Sequence, residues 1–135
     1  MMKTALLLSV LMAIWPFSSG QTFVLAPSSS VPAASGTVKV SQGDNGNTKL
    51  EVKVKHLALP SRLTPPAAAY LVWIQPRGQA AHKLGAIQLD DSLNGDLTAV
   101  TTVQTGDLLI TAEQSVNVDA PTSAPVLQGH IELKS

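Results

Sequence analysis

The sequence contains no cysteine, few aromatic residues and little charge. Without cysteine the protein forms no disulfide bonds and cannot be a lipoprotein attached through an N-terminal cysteine. Aromatic residues make up 4% of the chain and charged residues 13%, so an exposed aromatic platform for sugars is not expected. A domain of this composition must be held together by its apolar core alone.

The chain also lacks an excess of charge of either sign. Nine basic residues balance nine acidic ones over 135 residues. The densest basic stretch is Lys49, Lys53 and Lys55, which lie on one predicted strand. Nucleic-acid binding requires a concentrated basic face that neutralises phosphates, so we expect no nucleic-acid partner.

Residues 1–20 have the pattern of a secretory signal peptide. Lys3 precedes an almost unbroken apolar run from Thr4 to Phe17, and small residues follow it. The run is shorter than the roughly 20 apolar residues of a transmembrane helix, so no stable membrane span is expected after cleavage. Cleavage is predicted after Gly20; cleavage after Ala26 and retention as an uncleaved anchor are the alternatives. We therefore expect a periplasmic or secreted protein.

The remaining chain divides into a leader and one domain. Residues 21–35 are predicted to form a flexible leader, because Pro27–Ser35 consists of proline and small, mostly polar residues that bury little apolar area. Residues 36–135 are long enough for one domain.

Period-two alternation dominates this domain. In its clearest run, Leu50, Val52 and Val54 alternate with charged residues, which is typical of a strand with one buried and one solvated face. The apolar run 69–75 predicts a central strand that is covered on both faces. Turn residues separate about seven predicted strands, near residues 38–41, 50–55, 69–75, 84–89, 97–103, 108–113 and 127–133.

This pattern predicts an all-β fold, a seven-stranded antiparallel immunoglobulin-like β-sandwich. Strands with one solvated face bury their apolar sides by stacking two sheets. A closed barrel is the alternative.

The order of short motifs after residue 70 resembles the C-terminal extracytoplasmic domain of the bacterial anti-sigma-K factor family. The resemblance implies an extracytoplasmic β-domain and covers about half of the chain. It is carried by Tyr70 and Trp73, Leu84-Gly85, the acidic turn Asp90–Asp96, Thr111 and Glu113, Pro121-Thr122, Pro125-Val126 and Gly129.

The departures from this family limit what the resemblance implies. The sequence shows neither the helical sigma-binding region nor the transmembrane helix, and Gln114-Ser115 stands where the family often has Gly-Gly. The resemblance therefore implies a domain type rather than anti-sigma activity.

Two sets of residues are weak candidates for metal ligands. Asp90, Ser92, Asn94 and Asp96 alternate as oxygen ligands do in a calcium loop, but Thr101 stands where such a loop has its glutamate. A polar hairpin tip explains the same residues. His56, His82 and His130 lack metal-ligand spacing and are expected to be ordinary surface histidines.

No catalytic motif is evident. The sequence has no Gly-x-Ser-x-Gly or Ser-x-x-Lys motif and no phosphate-binding glycine loop, and its one carboxylate pair, Asp90-Asp91, points to opposite faces of an extended chain. Tyr70 and Trp73 are expected in the core rather than on a ligand platform. We expect no enzyme activity and no cofactor.

Two functions remain open. The first is an exported, non-catalytic module that contacts a protein partner at the bacterial cell envelope through strand edges and the proline-bearing loops 57–66 and 119–125. The second is a periplasmic sandwich protein that binds a small ligand or a metal, using His56, His82 or His130.

Overall fold

The structure, a computed structural model, describes residues 20–133. The predicted signal peptide lies outside the described residues, except for Gly20. No helix within residues 20–133 is long and apolar enough to cross a membrane. Within residues 20–133, eight strands form the fold: β1 Gln21–Pro27, β2 Ser35–Gln42, β3 Thr48–Lys55, β4 Ala69–Gln75, β5 His82–Ile87, β6 Gly95–Thr101, β7 Thr105–Glu113 and β8 Pro125–Glu132.

The all-β prediction is confirmed, but the prediction of a seven-stranded, two-sheet immunoglobulin-like sandwich is wrong. All eight strands are antiparallel and belong to one sheet, in the order β5-β4-β7-β8-β1-β2-β3-β6. This sheet curls into a nearly closed barrel. The alternative of a closed barrel is thus nearer to the observed arrangement.

Strand β1 is the reason for the single sheet. Its residues Gln21–Leu25 pair with β2, and Ala26 and Pro27 pair with β8. Without β1, the β2-β3-β6 half would have no hydrogen-bonded link to the half that contains β8.

The prediction of a flexible leader over residues 21–35 is also wrong, because residues 21–27 form β1. Leu25 is buried against Gly36 and Gly129: a Cβ would lie 3.1 Å from Leu25 Cδ1 at Gly36 and 2.9 Å from Leu25 Cδ2 at Gly129. The β1–β2 loop (residues 28–34) buries Val31 and Ala34 and is closed by backbone hydrogen bonds between these residues and from Ser28 to Val126. This segment is therefore part of the domain.

The seven other strands match the predicted runs, with ends shifted by a few residues. The barrel interior is filled by the apolar residues of the alternating strands, such as Leu50, Val52 and Val54 of β3, each at most 1% exposed. Strand β4 is covered on both faces, as predicted: Tyr70, Val72 and Ile74 belong to the main core, and Leu71 and Trp73 form a second, outer cluster with Leu109.

The barrel is open only between β5 and β6, within the described residues. No backbone pairing joins these two strands, but Leu97 packs against Gly85, which has a φ of 154°. A Cβ on Gly95 would lie 2.7 Å from the Gln88 carbonyl oxygen, so this close approach requires glycine.

The antiparallel order places four connections at one end of the barrel. They are the β1–β2 loop, the β3–β4 loop (residues 56–68), the β5–β6 loop (residues 88–94) and the β7–β8 loop (residues 114–124). Shorter turns lie at the opposite end, including Pro76–Ala81 between β4 and β5.

Candidate functional site

The two proline-bearing loops predicted as contact surfaces lie side by side in the structure. The β3–β4 and β7–β8 loops border a cleft of about 590 Å³, which we call the loop cleft, and Ser30 of the β1–β2 loop completes its edge. Sequence spacing gave no indication that residues near 62 and near 123 would meet. The antiparallel order brings them together because both loops connect strands at the same end of the barrel.

The loop cleft has an apolar floor and a polar rim. Ala112 of β7 and Val126 of β8, which belong to the interior face of the barrel, form the floor with Ala58 and Leu63. The rim carries hydroxyl, amide and guanidinium groups, from Ser30, Arg62, Thr64, Gln114, Thr122 and Ser123.

Arg62 gives the loop cleft its charge. It ends a 3₁₀ turn, Pro60–Arg62, that begins with proline and is closed by the Arg62 and Leu63 backbone amides. Among the residues that the structure describes, no aspartate or glutamate lines the cleft. The Thr122 and Ser123 hydroxyls already donate to Glu113 and to the Ala112 carbonyl. The site therefore presents one cation, Arg62, above an apolar surface, which suits a group that is partly apolar and bears a negative end.

The walls of the loop cleft are fastened to each other. The Gln114 side-chain amide donates to the Pro66 carbonyl at 2.5 Å, and the Ala68 backbone N–H donates to the Glu113 carbonyl at 2.8 Å. The Tyr70 hydroxyl donates to the Ala58 carbonyl at 2.5 Å, and burial raises the pKa of Tyr70 to about 12. These bonds hold both loops in place on the barrel.

Glu113 anchors the β7–β8 loop from beneath. Its fully buried carboxylate accepts from the Thr122 backbone N–H, at 3.1 Å to Oε2, and from the Thr122 hydroxyl. Burial alone would raise the pKa of Glu113, but hydrogen bonds from Thr111, Thr122 and Ser123 outweigh it and lower the pKa below its ordinary value. The carboxylate is therefore charged at neutral pH and holds the loop by charge-assisted bonds.

Trp73, in the outer cluster of β4, is linked to Glu113 by hydrogen bonds through Thr111. The Trp73 indole Nε1–H donates to Thr111 Oγ1 at 2.8 Å, and Thr111 in turn supports Glu113. The ammonium group of Lys83 lies 5.9 Å from the centre of the Trp73 ring and donates to the Val116 carbonyl at 2.7 Å. Trp73 and Tyr70 are fully buried, so the prediction that they are core residues is confirmed.

The predicted calcium candidates form a turn that is stabilised by its own backbone. Asp90 Oδ1 accepts from the Ser92 N–H at 2.8 Å and from the Asn94 N–H at 3.0 Å, while Asp96 lies on β6 opposite Lys53. Asn94 Oδ1 accepts from the His56 backbone N–H at 3.3 Å. The set thus works as a loop connector at the cleft end of the barrel.

The three histidines lie on separate elements. His56 follows β3 with a φ of 55°, His82 begins β5, and His130 lies on β8, and all three are solvent-exposed. His130 Nδ1 lies 3.0 Å from Asp107 Oδ1 on the exposed face of β7 and β8. Within residues 20–133, no group of three or more His, Cys, Asp or Glu residues is arranged to hold a metal ion.

Sequence reasoning missed Glu113, Arg62 and the meeting of the two loops. In the sequence, Glu113 stands out only as part of a motif that carries the family resemblance. A signal for its role is present, since a carboxylate that follows the mostly apolar residues 108–112 must find donors nearby, and Thr122 and Ser123 follow it at short range. The position of Arg62 in a cleft has no comparable signal, because it depends on which loops become neighbours.

Comparison with known proteins adds no assignment to this geometry. No protein-family model matches the sequence, and no curated protein matches it. The resemblance to the anti-sigma-K factor domain therefore stays a prediction.

Proposed function

We propose that this protein is an exported, non-catalytic module that binds a protein partner at the bacterial cell envelope through the loop cleft. The observation that carries the proposal is the convergence of the β3–β4 and β7–β8 loops on one cleft. Loops held on a rigid β-scaffold are where binding function usually lies.

Preorganisation supports a binding role. The cleft walls are joined by the Gln114–Pro66 and Ala68–Glu113 hydrogen bonds, and the β7–β8 loop is held by a buried carboxylate. A binding surface that is already ordered loses less conformational entropy when a partner docks. A protein segment with small apolar side chains and an acidic group would fill the floor and face Arg62.

The exposed apolar residues beside the loops extend this surface. Leu59 is 41% exposed and Val116 is 49% exposed, and both border a second groove of about 280 Å³ with Pro60 and Leu89. Leu59 and Val116 belong to the same two loops as the cleft. A protein partner that covers both depressions would bury these side chains, whereas a small molecule in the cleft would leave them exposed.

A small ligand in the same cleft is the second candidate. The volume of about 590 Å³ lies within the range of roughly 300–1,000 Å³ that small-molecule sites occupy. A ligand carried through purification would appear as added mass in native mass spectrometry. That mass would be absent from a protein-binding module without its partner.

Site-specific photo-crosslinking tests the proposal. A photoreactive amino acid at Ser123 should capture one discrete protein in the cells that export the module, and the same residue at Gln79, at the opposite end of the barrel, should not. Arg62→Glu should lower the Ser123 yield by ~10-fold or more, because like charges then face each other across the interface. Arg77→Glu, which makes the same charge change at the far end, should leave it unaltered. Equal capture from both positions would refute the proposed site.

A further inference from the structure

The outward-facing residues of β1, β2, β3 and β6 form a second surface, which we call the basic face. The strand register places directly opposed residues in rows across this face. One row runs Val24, Thr37, Lys53, Asp96, and the next runs Thr22, Lys39, Glu51, Thr98. A third row contains Ser41, Lys49 and Val100, and Lys55 lies opposite Ser35.

Cations are concentrated on this face. Lys39, Lys49, Lys53 and Lys55 are four of the seven lysines and arginines between residues 20 and 133, whereas only Glu51 and Asp96 among the nine acidic residues share the face. The rest of the described domain carries three cations and seven anions. The overall charge is therefore near zero, but it is unevenly distributed, and the basic face is the positive side of the molecule.

The lysine ammonium groups are available to a partner. All four lysines are solvent-exposed, and within the described part of the chain none of them lies within 4.0 Å of a carboxylate oxygen. Lys53 and Lys55 also line a shallow depression of about 250 Å³ with Ser35, Gly36 and Thr37. Two cations and two hydroxyl groups around a small depression suit a phosphate group.

We propose that the basic face rests on the surface of a membrane that contains anionic phospholipids. Neighbouring strands lie about 4.8 Å apart, so these four strands of the barrel present a broad, convex wall rather than a groove for a single polymer chain. All four cations are lysine, a hydrated point charge, and none is arginine, which favours diffuse attraction to many phosphates over bidentate recognition of one.

The exposed side chain of Val24 favours a bilayer over a soluble polyanion. Val24 is 77% exposed and Val100 is 59% exposed, and they lie on opposite edges of the same face. Beside a soluble polymer these side chains would gain nothing. The two valines point in different directions on the curved barrel wall, so at a bilayer surface it is Val24, in the row of Lys53, that can enter the interfacial region while the lysines contact the headgroups. The loop cleft lies at the end of the barrel and not on the basic face. With the basic face on the bilayer, the cleft would therefore open sideways, parallel to the membrane surface.

Vesicle co-sedimentation of the exported protein tests this proposal. The protein should sediment with vesicles of phosphatidylglycerol and phosphatidylcholine, but not with phosphatidylcholine alone. Binding should weaken when salt rises from about 0.1 M to about 1 M, which shortens the Debye length from about 10 Å to about 3 Å. Lys53→Gln should weaken binding about fivefold, and Lys53→Gln combined with Lys55→Gln about 25-fold.

Controls separate the basic face from other contributions. Arg77→Gln removes a cation elsewhere on the molecule and should change binding less than twofold. Any contribution of residues 1–20 is the same in every variant, so the difference between variants reports on the face. Val24→Ser should weaken binding to the mixed vesicles and leave retention on soluble polyphosphate unchanged.

Three outcomes would overturn the proposal. The first is no binding of the unaltered protein to the mixed vesicles, and the second is equal loss from Arg77→Gln and Lys53→Gln. The third is retention on polyphosphate without binding to vesicles, which would assign the face to a soluble polyanion instead.

Discussion

At the scale of single residues, Glu113 has the largest influence on the loop cleft. It is a fully buried carboxylate whose oxygens are occupied by donors from its own strand and from the β7–β8 loop. A buried charge is tolerated only where hydrogen bonds replace its hydration. The sequence Thr-Ser that follows in the loop supplies those donors, so the loop cannot leave the sheet without exposing an unsatisfied carboxylate site.

Glu113→Gln should destabilise the protein by about 1–3 kcal/mol at pH 7. The neutral amide forms weaker hydrogen bonds than the carboxylate, and its NH₂ group would face the N–H and O–H donors of Thr122. Chemical denaturation monitored by the fluorescence of buried Trp73 measures this change. Glu132→Gln, an exposed carboxylate on β8, is the matched control and should change stability by less than about 0.5 kcal/mol.

The pH dependence of this difference follows from the lowered pKa of Glu113. Because the pKa is lower in the folded than in the unfolded state, the carboxylate adds stability above the unfolded pKa of about 4.3. That contribution is lost as pH falls through the folded pKa. The gap between the wild-type protein and Glu113→Gln should therefore be constant at neutral pH and shrink below about pH 4. A gap that widens on acidification would contradict the assignment.

At the scale of elements, β1 determines whether the protein has one sheet or two. Its first five residues pair with β2 and its last two with β8. Leu25, the one fully buried side chain of β1, fixes the strand to the core between Gly36 and Gly129, and the partly buried Phe23 packs against the same core.

Leu25→Ala should destabilise the domain by about 2–5 kcal/mol, since it leaves a cavity where the two halves of the sheet meet. Val24→Ala, one residue away but 77% exposed, should be nearly neutral. Thermal unfolding of both variants checks the prediction. Equal, small effects of the two substitutions would mean that residues 21–35 are the flexible leader that composition suggested.

Local patterns identified the other strands because each carries a complete signal of its own. Strand β3 shows four full alternations, and β4 is apolar on both faces because a second cluster covers Trp73. Strand β1 is short, and its one fully buried residue is followed by a stretch of proline and serine. Its pairing with β8 joins residues about 100 positions apart, which no local pattern can reveal.

At the scale of the whole molecule, alternation could not distinguish a barrel from a sandwich. Both arrangements require one buried and one solvated face on every strand. The difference lies in whether a strand bridges the two halves, and β1 does so. The sequence likewise indicated which loops are candidates for contact, but the meeting of the β3–β4 and β7–β8 loops is a property of strand order.

The molecule as a whole thus combines a rigid barrel with two different surfaces. The loop cleft lies at one end with Arg62 as its cation, and the basic face lies on the side formed by β1, β2, β3 and β6. We infer that the first binds a protein and the second orients the module on a membrane. The two roles are separable, because no residue of the basic face lines the loop cleft among the residues described.

Filling the loop cleft tests the central claim most directly. Ala124→Trp places an indole at the cleft rim, and Gln79→Trp places the same group in a turn at the opposite end. Capture of the partner by a photoreactive residue at Thr64, across the cleft, is the measurement. The account predicts that Ala124→Trp abolishes capture, although the unfolding temperature of this variant stays at the wild-type level. The Gln79→Trp variant should capture the partner as well as the wild-type protein does. Undiminished capture by a folded Ala124→Trp protein would contradict it.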